Sequence, residues 1–188
     1  MIITTREGLA DVANSFDLKT AIEVGTHQAV FASGFMSRYR GSIKLIDPWE
    51  GGSPDHDTFY PAFDLESRDR DLDFEIAKKA MEPFGDRVEF LRMTSREASQ
   101  LIPENSVGII YLDALHDYES VQEDISLWYP KVKEGGIFCG HDFHPNLPGV
   151  VLSVMEFMFR ENLDINFTSD IQHSWWFIKK VHNASASV

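Results

Sequence analysis

The chain alternates short, densely apolar runs with longer stretches in which apolar residues recur three or four positions apart. Ile43-Lys44-Leu45-Ile46, Val88-Glu89-Phe90-Leu91, Val107-Gly108-Ile109-Ile110-Tyr111-Leu112 and Ile137-Phe138-Cys139-Gly140 have strand length and strand composition. An earlier run, 19–24, ends in Glu23-Val24. Between these runs, three sets of residues each mark one helix face: Phe31, Phe35 and Tyr39; Leu72, Ile76 and Ala80; Val121, Ile125 and Trp128. Strand, helix and strand in repeated order specify βαβ units, and so a parallel sheet.

Local signals place the boundaries. Thr4-x-x-Glu7 and Thr94-x-x-Glu97 are capping-box patterns, the first leading into Leu9, Val12, Ala13 and Phe16 at helical spacing. Asp117 caps a helix over 119–129 and Pro130 stops it, after which Gly135-Gly136 is expected to turn the chain into the 137–140 strand. Pro148 opens a helix with Val151, Val154, Met155 and Met158 in register. Segments 164–167 and 174–180 form a final pair of strands joined by a polar turn. The segment 50–67 has no period and reads as a long surface loop. Its Phe59, Tyr60 and Phe63 either close over an apolar substrate or pack onto the sheet. The expected architecture is one α/β domain over 1–188, with its core at about 18–180. Its sheet has seven strands, mostly parallel, with a C-terminal antiparallel hairpin.

Composition narrows the class. At 188 residues, 43% hydrophobic and 12% aromatic, the chain can bury an ordinary core and is not disordered. No apolar run reaches the length of a membrane span, and no basic-then-apolar signal opens the sequence. With a single cysteine, Cys139, in a strand, a cytoplasmic protein with a buried, reduced thiol is expected. The sequon at Asn183 is then a chance match. A net charge of -13 with scattered lysines and arginines weighs against a nucleic-acid partner and leaves a small molecule as the natural one. The same acidity suits a cationic cofactor or a metal without deciding between them.

The chemistry gathers at the strand ends, where open α/β sheets bind ligands. Glu23-Val24-Gly25-Thr26-His27 occupies the first such turn, and Asp47-Pro48-Trp49 the second. Asp47 follows Gly25 at roughly the ~20-residue spacing of an acid that holds a ribose diol. The glycines that let a backbone approach a pyrophosphate are missing, which disfavours NAD and FAD. A cofactor with a ribose and no phosphate, such as S-adenosylmethionine, needs no such approach, and Glu23 would favour its cation. Each residue also has a plainer reading, as a helix cap or a solvated turn.

Asp113, His116, His141 and Asp142 lie at the ends of two neighbouring strands. Carboxylates suit Mg²⁺, and imidazole shifts preference toward Mn, Fe, Ni or Zn. His144-Pro145 reads better as a turn.

Glu23-Val24-Gly25, Ile46-Asp47-Pro48-Trp49, Tyr111 to Glu119 (YLDALHDYE) and Gly135 to Asp142 (GGIFCGHD) together resemble class I S-adenosylmethionine-dependent methyltransferases. The similarity is greatest to the small-molecule O-methyltransferases related to the macrocin and catechol enzymes. The resemblance implies a Rossmann-like, doubly wound fold and methyl transfer to a small hydroxylated molecule. It places Glu23, Gly25 and Thr26 at the methionine end, Asp47 on the ribose, and Trp49 and Ser95 near the adenine. His27, Pro48, Asp113 and Ala114 complete the expected cofactor set. Asp113, His141 and Asp142 are the expected ligands of a divalent metal, and His116 with Asp113 the expected catalytic residues. His141 departs from the family, whose metal-dependent members carry an acid or amide across this dipeptide. The N-terminal region is short for the helical substrate lid many relatives have. Two rival readings share the scaffold: a non-catalytic S-adenosylmethionine-binding domain, and a metal-dependent hydroxylase or hydrolase. Assembly into a homo-oligomer is left open.

Overall fold

The computed structural model describes residues 3–50 and 69–181. The seven strands are β1 (Thr20–Val24), β2 (Ser42–Asp47), β3 (Val88–Arg92), β4 (Val107–Leu112), β5 (Val132–Gly140), β6 (Asn166–Phe167) and β7 (Trp175–Ile178). They form one sheet in the order β3-β2-β1-β4-β5-β7-β6. The first five are mutually parallel, while β7 runs antiparallel to β5 and β6 antiparallel to β7. The expected α/β, doubly wound sheet with its antiparallel C-terminal hairpin is therefore present.

Among the described residues, six α-helices cover it: α1 (Leu9–Ser15), α2 (Val30–Met36), α3 (Arg70–Met81), α4 (Ser95–Leu101), α5 (Tyr118–Trp128) and α6 (Pro148–Glu161). Successive strand residues point to opposite faces. Ile109 and Tyr111 join a core with α1, α2 and α3, whereas Ile110 and Leu112 join one with α4, α5 and α6. All six β4 residues are buried, because both faces of the central strand are covered. Among the described residues, no helix is long and apolar enough to cross a membrane.

Four local expectations are corrected. Thr4 and Glu7 do not form a capping box: the chain makes a 3₁₀ turn over Arg6–Gly8 without a side-chain cap, and Glu7 packs beside Gly34. Thr94 and Glu97, by contrast, form the full reciprocal box. The inward face of α3 is Asp73, Ala77 and Met81, one position on from the Leu72, Ile76 and Ala80 stripe. Asp73 can take a buried place because Gln28 Nε2 donates to it at 2.7 Å, and a satisfied carboxylate tolerates burial. In α6 the buried set is Val150, Ser153, Val154 and Phe157, so only Val154 of the expected stripe is fully inside. Gly135-Gly136 does not turn the chain but lies within β5, where the register shifts opposite Gly108. A Cβ on Gly136 would stand 2.8 Å from the Gly108 carbonyl, so the glycines allow the two strands to close up. Most of the 50–67 loop, with its three aromatics, and the sequon at Asn183 lie outside the described residues.

Candidate active site

The parallel strands end on one edge, and the residues singled out from the sequence lie at or just beyond the ends of all five. The β1 and β4 ends meet at Gly25. Its φ is +88°, and a Cβ there would stand 2.1 Å from the Asp113 carbonyl oxygen. Only glycine combines that conformation with that approach. Beside it, the Asp113 N–H donates to the Val24 carbonyl and the Gly25 N–H to the Ile46 carbonyl, both at 2.8 Å.

His27 and Ala29 follow in left-handed conformations, with φ of 51° and 59°. Asp47 holds this loop: its two oxygens accept from the His27 N–H at 2.9 Å and the Trp49 N–H at 2.8 Å. Trp49 returns a bond from Nε1 to the His27 carbonyl at 2.8 Å. Its ring is 2% exposed and packs on Phe74 at 4.6 Å between centroids. Asp47 and Trp49 thus fasten the first two loops to each other, with half-buried Pro48 between them.

Glu23 is 1% exposed, and its Oε2 has no hydrogen-bond partner. Burial, reinforced by Asp113, pushes its carboxyl well above the ordinary carboxylate range, against the pull of Thr26 and Arg6. Thr26 is buried beside it. An orphaned buried acid next to a cradle that a Cβ would fill is a site prepared for a cation on a closely approaching ligand. The ammonium-bearing end of S-adenosylmethionine fits it, with Gly25, Thr26 and Ala114 around it.

Ser95 opens α4, and its hydroxyl bonds to Asp124 and accepts from Trp128 Nε1 at 2.8 Å. Asp124 escaped the sequence reading because it interrupts the apolar face of α5. Burial raises its carboxyl to about 6, with the Ser95 bond pulling the other way. A cavity of about 20 Å³, room for one water, lies between this group and Asp113, Ala114, Leu115, His116 and Asp142.

Asp142 is the centre of the second cluster. It has φ of 60°, with His116 Nε2 at 2.8 Å from Oδ2 and His141 Nδ1 at 3.1 Å from Oδ1. Burial opposes its charge, but the two imidazole bonds outweigh it and hold the carboxyl below the ordinary range. For both imidazoles, burial works against the cation and Asp142 prevails, so both are raised. Asp113 is raised chiefly by burial, with His141 opposing. Its Oδ1 lies 3.8 Å from His141 Nδ1 and its Oδ2 lies 3.5 Å from Arg6.

Asp113, His141 and Asp142 each offer one ligand atom, all within 4.8 Å of one another. A mixed oxygen and nitrogen set of this spacing fits a divalent cation. His144 makes a turn, as its sequence suggested: its N–H donates to the Asp142 carbonyl at 2.7 Å and its carbonyl accepts from Leu147 at 2.8 Å. Arg6, from the 3₁₀ turn, also reaches this edge. Nothing in the sequence pattern marked it, because its partner Asp113 lies 107 residues further along the chain.

Residues 22–143 match the model of a family described as "Methyltransferase domain". The fold is shared with the O-methyltransferase NovP at a TM-score of 0.69 and 14% identity, covering 93% of this chain and 78% of that one. An SAH-bound methyltransferase from Podospora anserina superposes at 0.65 with 12% identity, over 95% of this chain and 80% of its own. The O-methyltransferase from Bacillus cereus in complex with SAH gives 0.63 at 14% identity, over 92% and 80%. No curated protein matches in sequence. The chain belongs to the methyltransferase-domain family, as a class I S-adenosylmethionine-dependent methyltransferase.

Proposed function

We propose that the protein transfers a methyl group from S-adenosylmethionine to a hydroxyl of a small molecule. The observation that carries this reading is Glu23: a buried, unpartnered carboxylate oxygen beside the Gly25 approach, at the end of β1. O-methyltransferases among the proteins of like fold support the choice of oxygen as acceptor. S-adenosylmethionine, when bound, supplies a methyl group made electrophilic by its sulfonium.

The protein's own part is alignment and proton removal. An in-line displacement needs the reacting atoms within about 3–3.5 Å, so the loops must hold both partners rigidly. Asp47 and Trp49 lock the first two loops through backbone bonds. The Glu23 carboxylate takes the cofactor's ammonium, and Asp47, in this reading, is the acid that meets its ribose. His116 takes the acceptor's hydroxyl proton on its imidazole, and Asp142, 2.8 Å from Nε2, stabilises the resulting cation. Asp113, His141 and Asp142 would hold a divalent cation, which when bound supplies Lewis acidity toward the acceptor oxygen.

The test is incubation with S-adenosylmethionine and a panel of catechols, phenols and hydroxylated sugars, read by mass spectrometry. The expected result is one methyl gained by an acceptor for each S-adenosylhomocysteine formed. Repeating it with EDTA, then with each of Mg, Mn, Fe, Ni and Zn, reports on the cation. Turnover unchanged in EDTA removes the metal from the mechanism and leaves the imidazoles on Asp142 as the base.

A further inference from the structure

The N-terminal turn places a guanidinium among the acids of the site. Arg6 NH1 lies 3.5 Å from Asp113 Oδ2, and Arg6 is close enough to Glu23 to lower its pKa. Its position is fixed from three sides. Its backbone N–H donates to Asp170 Oδ2 at 3.0 Å, and Ser169 N–H donates to the Ile3 carbonyl at 3.1 Å. Its guanidinium stands 5.5 Å over the Phe31 ring, which stacks on Tyr111 at 3.8 Å. Phe31 belongs to α2, directly after the loop that begins at Gly25.

Such anchoring exceeds what neutralising Asp113 requires. An arginine serving one carboxylate forms a fork with bonds of about 2.7–2.9 Å. Here the guanidinium approaches two carboxylates, Asp113 at 3.5 Å and Glu7 at 3.6 Å, and neither approach makes that fork. Meanwhile Glu23, Asp47, Asp113 and Asp142 line this edge with carboxyl groups. The methionine end of the cofactor carries an ammonium and a carboxylate, and the acids can welcome only the ammonium. The carboxylate needs a cation at the same edge.

We propose that Arg6 is the clamp for the carboxylate of the cofactor's methionine end, opposite Glu23 on the ammonium. This rests on the S-adenosylmethionine reading of the site. The N-terminal turn then forms one wall of the cofactor pocket, and cofactor affinity depends on its being docked. A carboxylate on the acceptor could offer the same chemistry, and the cofactor is chosen because Arg6 and Glu23 share one end of the site.

The experiment measures binding of S-adenosylmethionine and of decarboxylated S-adenosylmethionine, which lacks only that carboxylate, by calorimetry without acceptor. The parent protein should prefer the intact cofactor by roughly 10- to 100-fold. Arg6→Gln should lose that factor for the intact cofactor and leave the decarboxylated one unchanged, which also reports that the variant is folded. Arg6→Lys should restore part of the loss, as a charge without the planar fork. Equal weakening of both ligands would make Arg6 a structural prop and overturn the clamp. Unchanged cofactor affinity with a raised KM for an acidic acceptor would move the carboxylate to the acceptor. Should Arg6→Gln not fold, the parent's preference decides alone: no preference sinks the clamp. Binding of neither ligand to the parent would remove the cofactor reading itself.

Discussion

Gly25 and Asp113 are in contact through their backbones: a Cβ on Gly25 would lie 2.1 Å from the Asp113 carbonyl oxygen and 2.4 Å from its carbon. This approach joins the turn after β1 to the end of β4, and with it the cofactor residues to the proposed proton-handling ones. Gly25→Ala must relieve both that overlap and a φ of +88°. The expected cost is roughly 2–4 kcal/mol of stability, together with loss of S-adenosylhomocysteine binding. Thermal unfolding and calorimetry on the same samples check it, and a variant with parental melting would contradict the geometry.

Asp47 accepts two backbone bonds at 2.8 and 2.9 Å as well as facing the proposed ribose position. Asp47→Ala is therefore expected to weaken S-adenosylhomocysteine binding by roughly 1.5–3 kcal/mol and to lower the melting temperature at once. A loss of affinity without any loss of stability would mean that the loop bonds are dispensable.

The pairing of His116 with Asp142 is expected to matter for turnover and not for cofactor binding. His116→Ala and Asp142→Ala should each lower the methylation rate by about 10²–10⁴-fold. Their affinity for S-adenosylhomocysteine should stay within twofold or so of the parent. Equal loss of affinity and rate would place the pair in the cofactor pocket instead.

Asp124 gives a pH signature. The native protein holds its proton up to about pH 6, whereas the unfolded chain releases it near 3.8. The stability this group contributes is thus full below 3.8 and lost as pH rises through about 6. Asp124→Asn cannot ionise and escapes that loss. Denaturant unfolding at pH 4 and pH 7 should show the variant gaining roughly 2–3 kcal/mol on the parent between the two. A constant difference at both pH values would assign the raised group elsewhere.

The sequence made the sheet legible because β1, β2, β4 and β5 are apolar runs ended by acids, glycines and histidines. The Thr94–Glu97 box and the Asp117 cap depend on neighbours three residues away, and both are found in the structure. What resisted reading was long-range. Asp73 and Asp124 look like surface acids until Gln28 and Ser95 are brought to them from elsewhere in the fold. Arg6 and Asp113 lie 107 residues apart in sequence, so no local pattern could join them. Thr4 and Glu7 failed as a cap because the first turn docks on Asp170, a tertiary contact that overrides a local preference.

The central claim is that the Glu23 end of the site binds the ammonium of S-adenosylmethionine. Calorimetric titration with S-adenosylhomocysteine, in buffers of differing ionisation enthalpy, tests it most directly. Burial pushes the Glu23 carboxyl well above the ordinary carboxylate range, and pairing with a cation favours its ionised form and so the loss of its proton. The account predicts saturable binding with proton release, rising affinity with pH, and loss of the proton signal in Glu23→Gln. Binding of NAD in preference, or S-adenosylhomocysteine binding equally well and without proton release in parent and variant, would contradict it.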